Sequence, residues 1–600
     1  MRNLSFALAL ALAACATAPS TSTPASEPVT YSSEMGPALE AARAQAILDR
    51  TQRLHLAPDV SALTPGEREA VRELLAAGER LHRLYLVQRH AQALEAEAYL
   101  AAHPERTIER DLFRLNSGPI VTTLDNERAP LLTTIAPEAP ARNVYPQGAT
   151  KAAIDAFIAA HPERSTELQD DRSVVWADTA EMRRVVIARL TRYPVLDTLH
   201  PGLRARMEGA PVVGGYIGVP YSVAYAEDIL FVSERLNAAA DDVESGDPAF
   251  ARYLRLRSRD LLSDDYEGGD AAWVTSEFTG NLNAQIGSYE TYDDALYGVK
   301  TFFALSLLVR DRARSEELQE ALQDIQRVEN SLPYADHREV RSNIPVGVYN
   351  IIADFGQARG TNTATILPNE GYLTRQYGRT ILMRGNILLN DELFAENQRA
   401  FAAAVTQNQA NHLTSEGGFY RTLWHEIGHY LGVHETADGR ELDVALGDTA
   451  DLLEEMKADL VSLTSARILN ERGRLTDAQL RGIYASGIRR VLQKNRPRRE
   501  QPYQTMQLIQ WNWFLEHGVL RFENGRLRID YRRYPAAVTG LLRETLAIQR
   551  AGDNAAANAF VTRWTTWRPE LHEVIAQRMR ESERNRFTIV TYEALDGPQR

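Results

Sequence analysis

His425-Glu426-Ile427-Gly428-His429 is an H-E-x-x-H pentapeptide, and its apolar neighbours Leu423, Trp424, Ile427 and Leu431 suit a buried helix. Residues four apart lie on one helical face. Both imidazoles therefore reach one tetrahedral zinc. Glu426, one step on, turns its carboxylate toward water at the open coordination position. That arrangement makes a hydroxide nucleophile near neutral pH.

A third ligand is expected in Asp451-Leu452-Leu453-Glu454-Glu455-Met456-Lys457-Ala458-Asp459-Leu460. Leu452, Leu453, Met456, Leu460 and Leu463 recur at helical spacing. Glu455 and Asp459 then share a face. Glu455 reads as the ligand. Asp459 reads as the carboxylate that accepts the free ring N–H of a ligating His and fixes its tautomer. Glu454 is the alternative ligand or a second orienting carboxylate. An acidic run of this kind alone is usually a solvated stripe; the preceding pentapeptide favours the ligand reading.

A competing reading uses the first segment alone. His425-Glu426-x-x-His429-x-x-Gly432-x-x-Glu435 departs by one residue from the extended metzincin pattern. Glu435 stands where that pattern has His, and His434 sits one place early. On this reading Glu435 is a ligand and Met456 a Met-turn, although Met456 falls inside a helical pattern.

The two motifs together resemble those of the dipeptidyl-peptidase III family of zinc peptidases, an H-E-x-x-(x)-G-H helix followed by E-E-x-(R/K)-A-(E/D). Here they read His425 to His429, in the five-residue form, and Glu454-Glu455-Met456-Lys457-Ala458-Asp459. The form resembles the shorter bacterial branch of zinc-dependent hydrolases. The resemblance implies that His425, His429 and Glu455 bind one zinc, that Glu426 is the general base, and that Glu454 and Asp459 support the ligands. It extends over roughly residues 110 to 590. Arg142-Asn143-Val144-Tyr145-Pro146, Ala160-His161-Pro162-Glu163 and Val219-Pro220-Tyr221-Ser222 belong to it. So do Leu261 to Tyr266, Asp270-Ala271-Ala272-Trp273 and Ile286-Gly287-Ser288-Tyr289-Glu290-Thr291-Tyr292.

By the same resemblance Tyr289 helps polarise the scissile carbonyl, a role in which a phenol donates to the developing oxyanion. Asn343, in Asn343-Ile344-Pro345, helps hold the substrate's amino end. Read from the residues alone, Tyr289 is equally a buried Tyr, and Asn343 a turn residue before Pro345. Two departures bear on a strict dipeptide cut. Gly287 stands where the larger enzymes carry a Glu that anchors the peptide N-terminus, and Val346 replaces the second Asn of their N-I-P-N run. Glu290 is a candidate to supply the missing charge.

Six hundred residues exceed one core and imply at least two lobes. Apolar content of 44% and charged content of 24% are ordinary for a globular protein. A net charge of −13 argues against a nucleic-acid partner. Residues 1–14 read as a targeting segment, with Arg2 before an apolar run too short to span a membrane. Leu12-Ala13-Ala14-Cys15 resembles a bacterial lipobox, which makes Cys15, the only cysteine, a lipidation site. The alternative is ordinary cleavage after Ala16-Thr17-Ala18, which Pro19 disfavours. With a single cysteine no internal disulfide forms. Residues 15–35 read as a flexible tether. Ala16 after the cysteine leans, by resemblance to Gram-negative sorting rules, toward the outer membrane facing the periplasm.

The expected architecture is helix-rich α+β, with two lobes and zinc in the cleft between them. The expected divisions are an N-terminal helical segment over 36–109, a mainly helical lobe over 110–337, a zinc-binding catalytic region over 338–535 and a C-terminal helical segment over 536–600. Helices are expected at Ala38–Leu48, Glu67–Leu100, Tyr225–Ala240 and Leu296–Leu308. Thr365-Ile366-Leu367 and Thr380-Ile381-Leu382-Met383 read as strands along a substrate cleft. Arg521 to Tyr531, with Asn524-Gly525, reads as a hairpin. The expected activity is zinc-dependent hydrolysis of short peptides, releasing dipeptides from the N-terminus. The alternatives are a metzincin-like endopeptidase and a peptide-binding envelope lipoprotein without catalysis.

Overall fold

A computed structural model describes residues 35–340, 346–367, 376–378, 380–499 and 501–596. Cys15 and Asn343 lie outside the described residues.

Of four buried hydrophobic clusters among the described residues, the two largest mark two lobes. One gathers residues between Leu54 and Val309 together with Tyr349, Ile351–Ala353, Phe355, Leu382, Ile387 and Tyr592; the other gathers residues between Leu318 and Met579. They meet at a five-stranded sheet. Its strands are β1 (Leu282–Ser288), β2 (Phe303–Arg310), β3 (Val346–Gly356), β4 (Ala364–Leu367) and β5 (Thr380–Arg384), in the order β1-β2-β3-β5-β4. Only β3 and β5 run parallel. Side chains alternate between the faces of a strand, and at β3 and β5 the two faces serve different lobes. Ile381 and Met383 join the second core while Leu382 joins the first. Val346 and Val348 likewise part from Tyr349, Ile351 and Ala353.

Helix α1 (Pro65–Arg89) backs the sheet. Its start is set by Thr64 and Glu67, which satisfy each other's backbone N–H in a capping box. Gly78 admits Phe355 of β3 against the helix: a Cβ there would stand 2.3 Å from the ring. Helix α2 (Ala226–Val243) packs beside α1 and matches the expected Tyr225–Ala240. The second lobe is built from α3 (Ser415–Gly428), α4 (Ala450–Glu471), α5 (Asp477–Val491), α6 (Pro502–Glu516) and α7 (Tyr534–Ala551).

Several expectations are corrected. Leu296–Leu308 is a loop followed by β2, not a helix. Phe302 to Leu308 is apolar on both faces because both are covered, and such a run has no period to read. Glu67–Leu100 breaks at His90, whose backbone is extended. Thr51–Leu56, inside the expected N-terminal helical segment, is a strand that pairs in parallel with Phe587–Tyr592. The C-terminal segment is thus not wholly helical and closes on the first lobe. The hairpin stands as expected at Leu520–Glu523 and Arg526–Ile529. Asn524 and Gly525 at its tip both have positive φ, 52° and 72°, as a type I′ turn requires. No helix among the described residues is long and apolar enough to cross a membrane.

Candidate metal centre and cleft

Helix α3 starts at Thr414, whose side chain accepts from the Gly417 N–H. Its apolar face, Phe419, Leu423, Trp424 and Ile427, is buried in the second core. The opposite face carries His425 and Glu426 to the wall of a cleft of about 1970 Å³. The helix ends at Gly428, His429 caps it, and Gly432 turns the chain with φ +82°. Close crossing by α4 explains Gly428: a Cβ would meet the Ala458 carbonyl oxygen at 2.9 Å. This crossing sets Glu455 beside the histidines.

The donor atoms of His425, Glu426 and His429 lie within 4.8 Å of one another. Glu455 stands between the imidazoles, with Oε2 3.2 Å from His425 Nε2 and Oε1 3.8 Å from His429 Nε2. The far ring nitrogens are both taken by carboxylates. His429 Nδ1 lies 3.0 Å from Glu454 Oε1. His425 Nδ1 lies 2.8 Å from Asp459 Oδ1, off the line of an ideal hydrogen bond. A ring whose Nδ1 carries the proton presents a lone pair at Nε2. Two such lone pairs then face a carboxylate whose buried Oε2 has no hydrogen-bond partner of its own. Groups converging in this way take either a proton or a metal cation between them, and two His with one carboxylate is a zinc donor set. The residues present fit the metal.

Each orienting carboxylate has its own cationic support. Asp459, 4% exposed, accepts from Arg490 Nε at 3.0 and 3.1 Å, Arg421 at 3.2 Å and Gln510 at 3.3 Å. Burial disfavours its charge, but Arg490, His425 and Arg421 hold it well below the usual carboxylate range. Burial likewise opposes ionisation of Glu454, yet Lys457 at 2.7 Å and His429 bring it down to about 2. Burial would lower the His425 imidazole; Asp459, then Glu455 and Glu426, raise it to about 9. Burial also works against the Glu455 carboxylate, but the two imidazoles bring it below its ordinary value.

The metzincin alternative finds no support in this arrangement. Glu435 lies past the Gly432 turn in a bridge with Glu441, and Met456 is wholly buried within α4. Glu455, not Glu435, faces both imidazoles.

The cleft is walled on the other side by the sheet, through Asn283, Gln285, Ala304, Tyr349, Thr365, Thr380 and Leu382. The two strands expected along it are there. Tyr289 also lines it, but its hydroxyl donates to Asp270 Oδ1 at 2.6 Å, so its proton is committed within the first lobe. One other phenol touches a candidate ligand, and another lines the cleft. Tyr503 of α6, 47% exposed, donates to Glu455 Oε1 at 3.0 Å. Tyr292, 84% exposed, has its phenol raised to about 12, by desolvation first and then by the Glu290 and Glu455 carboxylates. Neither residue is marked by spacing; Tyr503 approaches Glu455 from far along the chain. Gly287 has φ +141°, and a Cβ there would meet Tyr266 at 2.6 Å. No side chain fits at Gly287. Glu290 instead lines the cleft.

No protein-family model matches the chain. Over 357 residues, 58% of its length, the chain is 27% identical to Nudix hydrolase 3 of Arabidopsis thaliana, and the match spans 46% of that protein. DPP III from Caldithrix abyssi superposes with a TM-score of 0.76 at 22% identity, covering 92% of this chain and 99% of that one. Dipeptidyl-peptidase III from Corallococcus sp. strain EGB superposes with a TM-score of 0.68 at 23% identity, covering 91% and 96%. The chain thus has the dipeptidyl-peptidase III fold.

Proposed function

We propose that this chain is a zinc-dependent metallopeptidase that hydrolyses short peptides and releases dipeptides from their N-termini. One observation carries the reading: the His425 and His429 Nε2 atoms converge with Glu455, while Glu426 stands beside them on an open cleft. One zinc per chain, held by these three residues, supplies the Lewis acidity that activates water and polarises the scissile carbonyl. Asp459 and Glu454 keep the imidazoles in the tautomer that presents Nε2. Glu426 accepts the proton of the attacking water and returns it to the leaving amine. Tyr289 helps hold the oxygen that gains charge once its hydroxyl turns from Asp270 toward the substrate. Glu290 meets the substrate's ammonium, and Asn343 its neighbouring backbone.

Hydrolysis of a peptide length series, followed by mass spectrometry of the fragments, tests this. Dipeptide release abolished by a chelator and restored by zinc is the expected result. Glu426→Gln is expected to keep zinc and lose about 10²- to 10⁴-fold in turnover. Chelator-insensitive turnover, or none, refutes the reading. We also propose that Cys15 carries a lipid anchor that places the enzyme in a bacterial envelope, on the outer membrane and facing the periplasm. Cys15→Ser is expected to abolish fatty-acid labelling and release the protein from the membrane fraction. Retention there contradicts the anchor.

A further inference from the structure

A second cavity, of about 740 Å³, opens where α1 and α2 meet the turn after β3. It shares no lining residue with the metal cleft. Several charges around it are already matched. Arg80 donates to Asp228 at 2.9 Å and lies 4.4 Å over the Phe231 ring. Glu227 accepts from Arg192 at 2.6 Å.

Arg359 lines the same cavity and is matched only at its base. Its Nε donates to the Asp354 carbonyl at 3.2 Å, which fixes the plane of the guanidinium. Among the described residues its two terminal nitrogens have no acceptor, and no carboxylate lies within 4 Å of them. A guanidinium withdrawn from bulk water costs free energy until it is paired. Burial indeed disfavours the charge of Arg359.

His82 of α1 supplies a second donor to the cavity. Its Nδ1 accepts from the Gly356 N–H at 3.1 Å. Burial, then the Arg359 guanidinium, hold the imidazole well below its ordinary value, so the ring is neutral. A neutral ring that accepts at Nδ1 carries its proton on Nε2. That N–H has no acceptor among the described residues.

The parallel N–H groups of a guanidinium match the two oxygens of a carboxylate. Phosphate could use the same donors, but Glu79 and Glu97 also line the cavity. Like charges repel, and a dianion is repelled more than a monoanion. Phe355 and Leu595 add apolar wall, which suits an organic body behind the charge.

We propose that this cavity is a binding site for a small organic carboxylate, held by the terminal nitrogens of Arg359 and the Nε2–H of His82. The proposal stands apart from the peptidase reading.

Calorimetric titration of the metal-free full chain with sodium benzoate tests it. One saturable site with a Kd of about 1 mM or tighter is the expected result. Arg359→Gln is expected to weaken it by about tenfold or more, because a charge-assisted pair of hydrogen bonds is lost. His82→Asn keeps an acceptor for the Gly356 N–H and removes the donor that faces the cavity. It is expected to weaken binding severalfold, and it carries the test alone should Arg359→Gln fail to fold. Arg310→Gln changes a guanidinium of the metal cleft and is expected to leave benzoate binding unaltered. No saturable heat, or binding that survives the substitutions at Arg359 and His82, overturns the proposal. An equal loss in Arg310→Gln also overturns it, because benzoate then sits in the metal cleft. Inorganic phosphate that binds more tightly than benzoate overturns the assignment to a carboxylate.

Discussion

Replacing Asp459 by Asn keeps the shape of the side chain and removes its charge. At this position the charge has five calls on it: Arg490 Nε at 3.0 and 3.1 Å, Arg421 at 3.2 Å, Gln510 at 3.3 Å and His425 Nδ1 at 2.8 Å. An Asn offers one accepting oxygen, and its amide N–H groups would face donors. The Nδ1–H of His425 then loses its acceptor or competes for it with a guanidinium. Loss of an orienting carboxylate behind a metal-binding His costs about 10- to 100-fold in metal affinity. That corresponds to about 1.4–2.8 kcal/mol. Arg421 and Arg490 also lose a buried counter-charge, which costs the fold about 3–5 kcal/mol more. The expected outcome is a zinc Kd raised toward the upper end of that range, with a clear loss of stability in the metal-free chain. Competition against a chromophoric chelator measures the first quantity, and urea unfolding of the metal-free protein the second. Zinc affinity within twofold of wild type would show that Asp459 does not orient His425.

Three further outcomes follow from the geometry. Gly428→Ala drives a methyl into the Ala458 carbonyl at 2.9 Å. It is expected to cost about 1–3 kcal/mol in melting experiments and, by parting α3 from α4, to weaken zinc binding; unchanged zinc affinity contradicts this. Tyr503→Phe removes the donor to Glu455 Oε1. It is expected to lower kcat by about tenfold at unchanged zinc content, because a donor to a charged acceptor is lost; unaltered kcat rules Tyr503 out. Burial lifts the Asp264 carboxyl to about 7, against two bonds from Ser222. Between roughly pH 4 and 7 the folded chain keeps a proton that the unfolded chain releases, so stability falls as pH rises through that window. Asp264→Asn tolerates the φ of 57° and keeps an acceptor for the Ser222 N–H. It is expected to flatten the fall in urea stability by up to about 4 kcal/mol; an unchanged slope excludes Asp264 as its source.

The helices of the candidate metal centre were readable because their residue spacing is local. His425 and His429, and Glu455 and Asp459, are pairs four residues apart, and a helix turns that spacing directly into one face. Glu455, Glu454 and Asp459 each lie within 3.8 Å of an imidazole nitrogen. The phenols were not readable in the same way. Tyr289 and Tyr292 lie in one short aromatic stretch, and only the backbone decides that Tyr289 turns to Asp270 while Tyr292 stays exposed. That backbone departs from strand alternation at Gly287, where φ is +141°. Tyr503 reaches Glu455 across 48 residues with no periodic signal. Strand β2 was hidden for another reason. A strand covered on both faces carries no alternation, and Phe303 to Val309 reads equally well as a buried helix. The pairing of Thr51–Leu56 with Phe587–Tyr592 joins the two ends of the described chain, which no local window sees.

The most direct test of the central claim is anomalous diffraction at the zinc edge from crystals grown with the metal. A single peak bonded to His425 Nε2, His429 Nε2 and a Glu455 oxygen at about 2.0–2.2 Å, with a further vertex open to the cleft, is the result expected. Zinc bound elsewhere, held through Glu435, or closed off by a fourth protein ligand would contradict it.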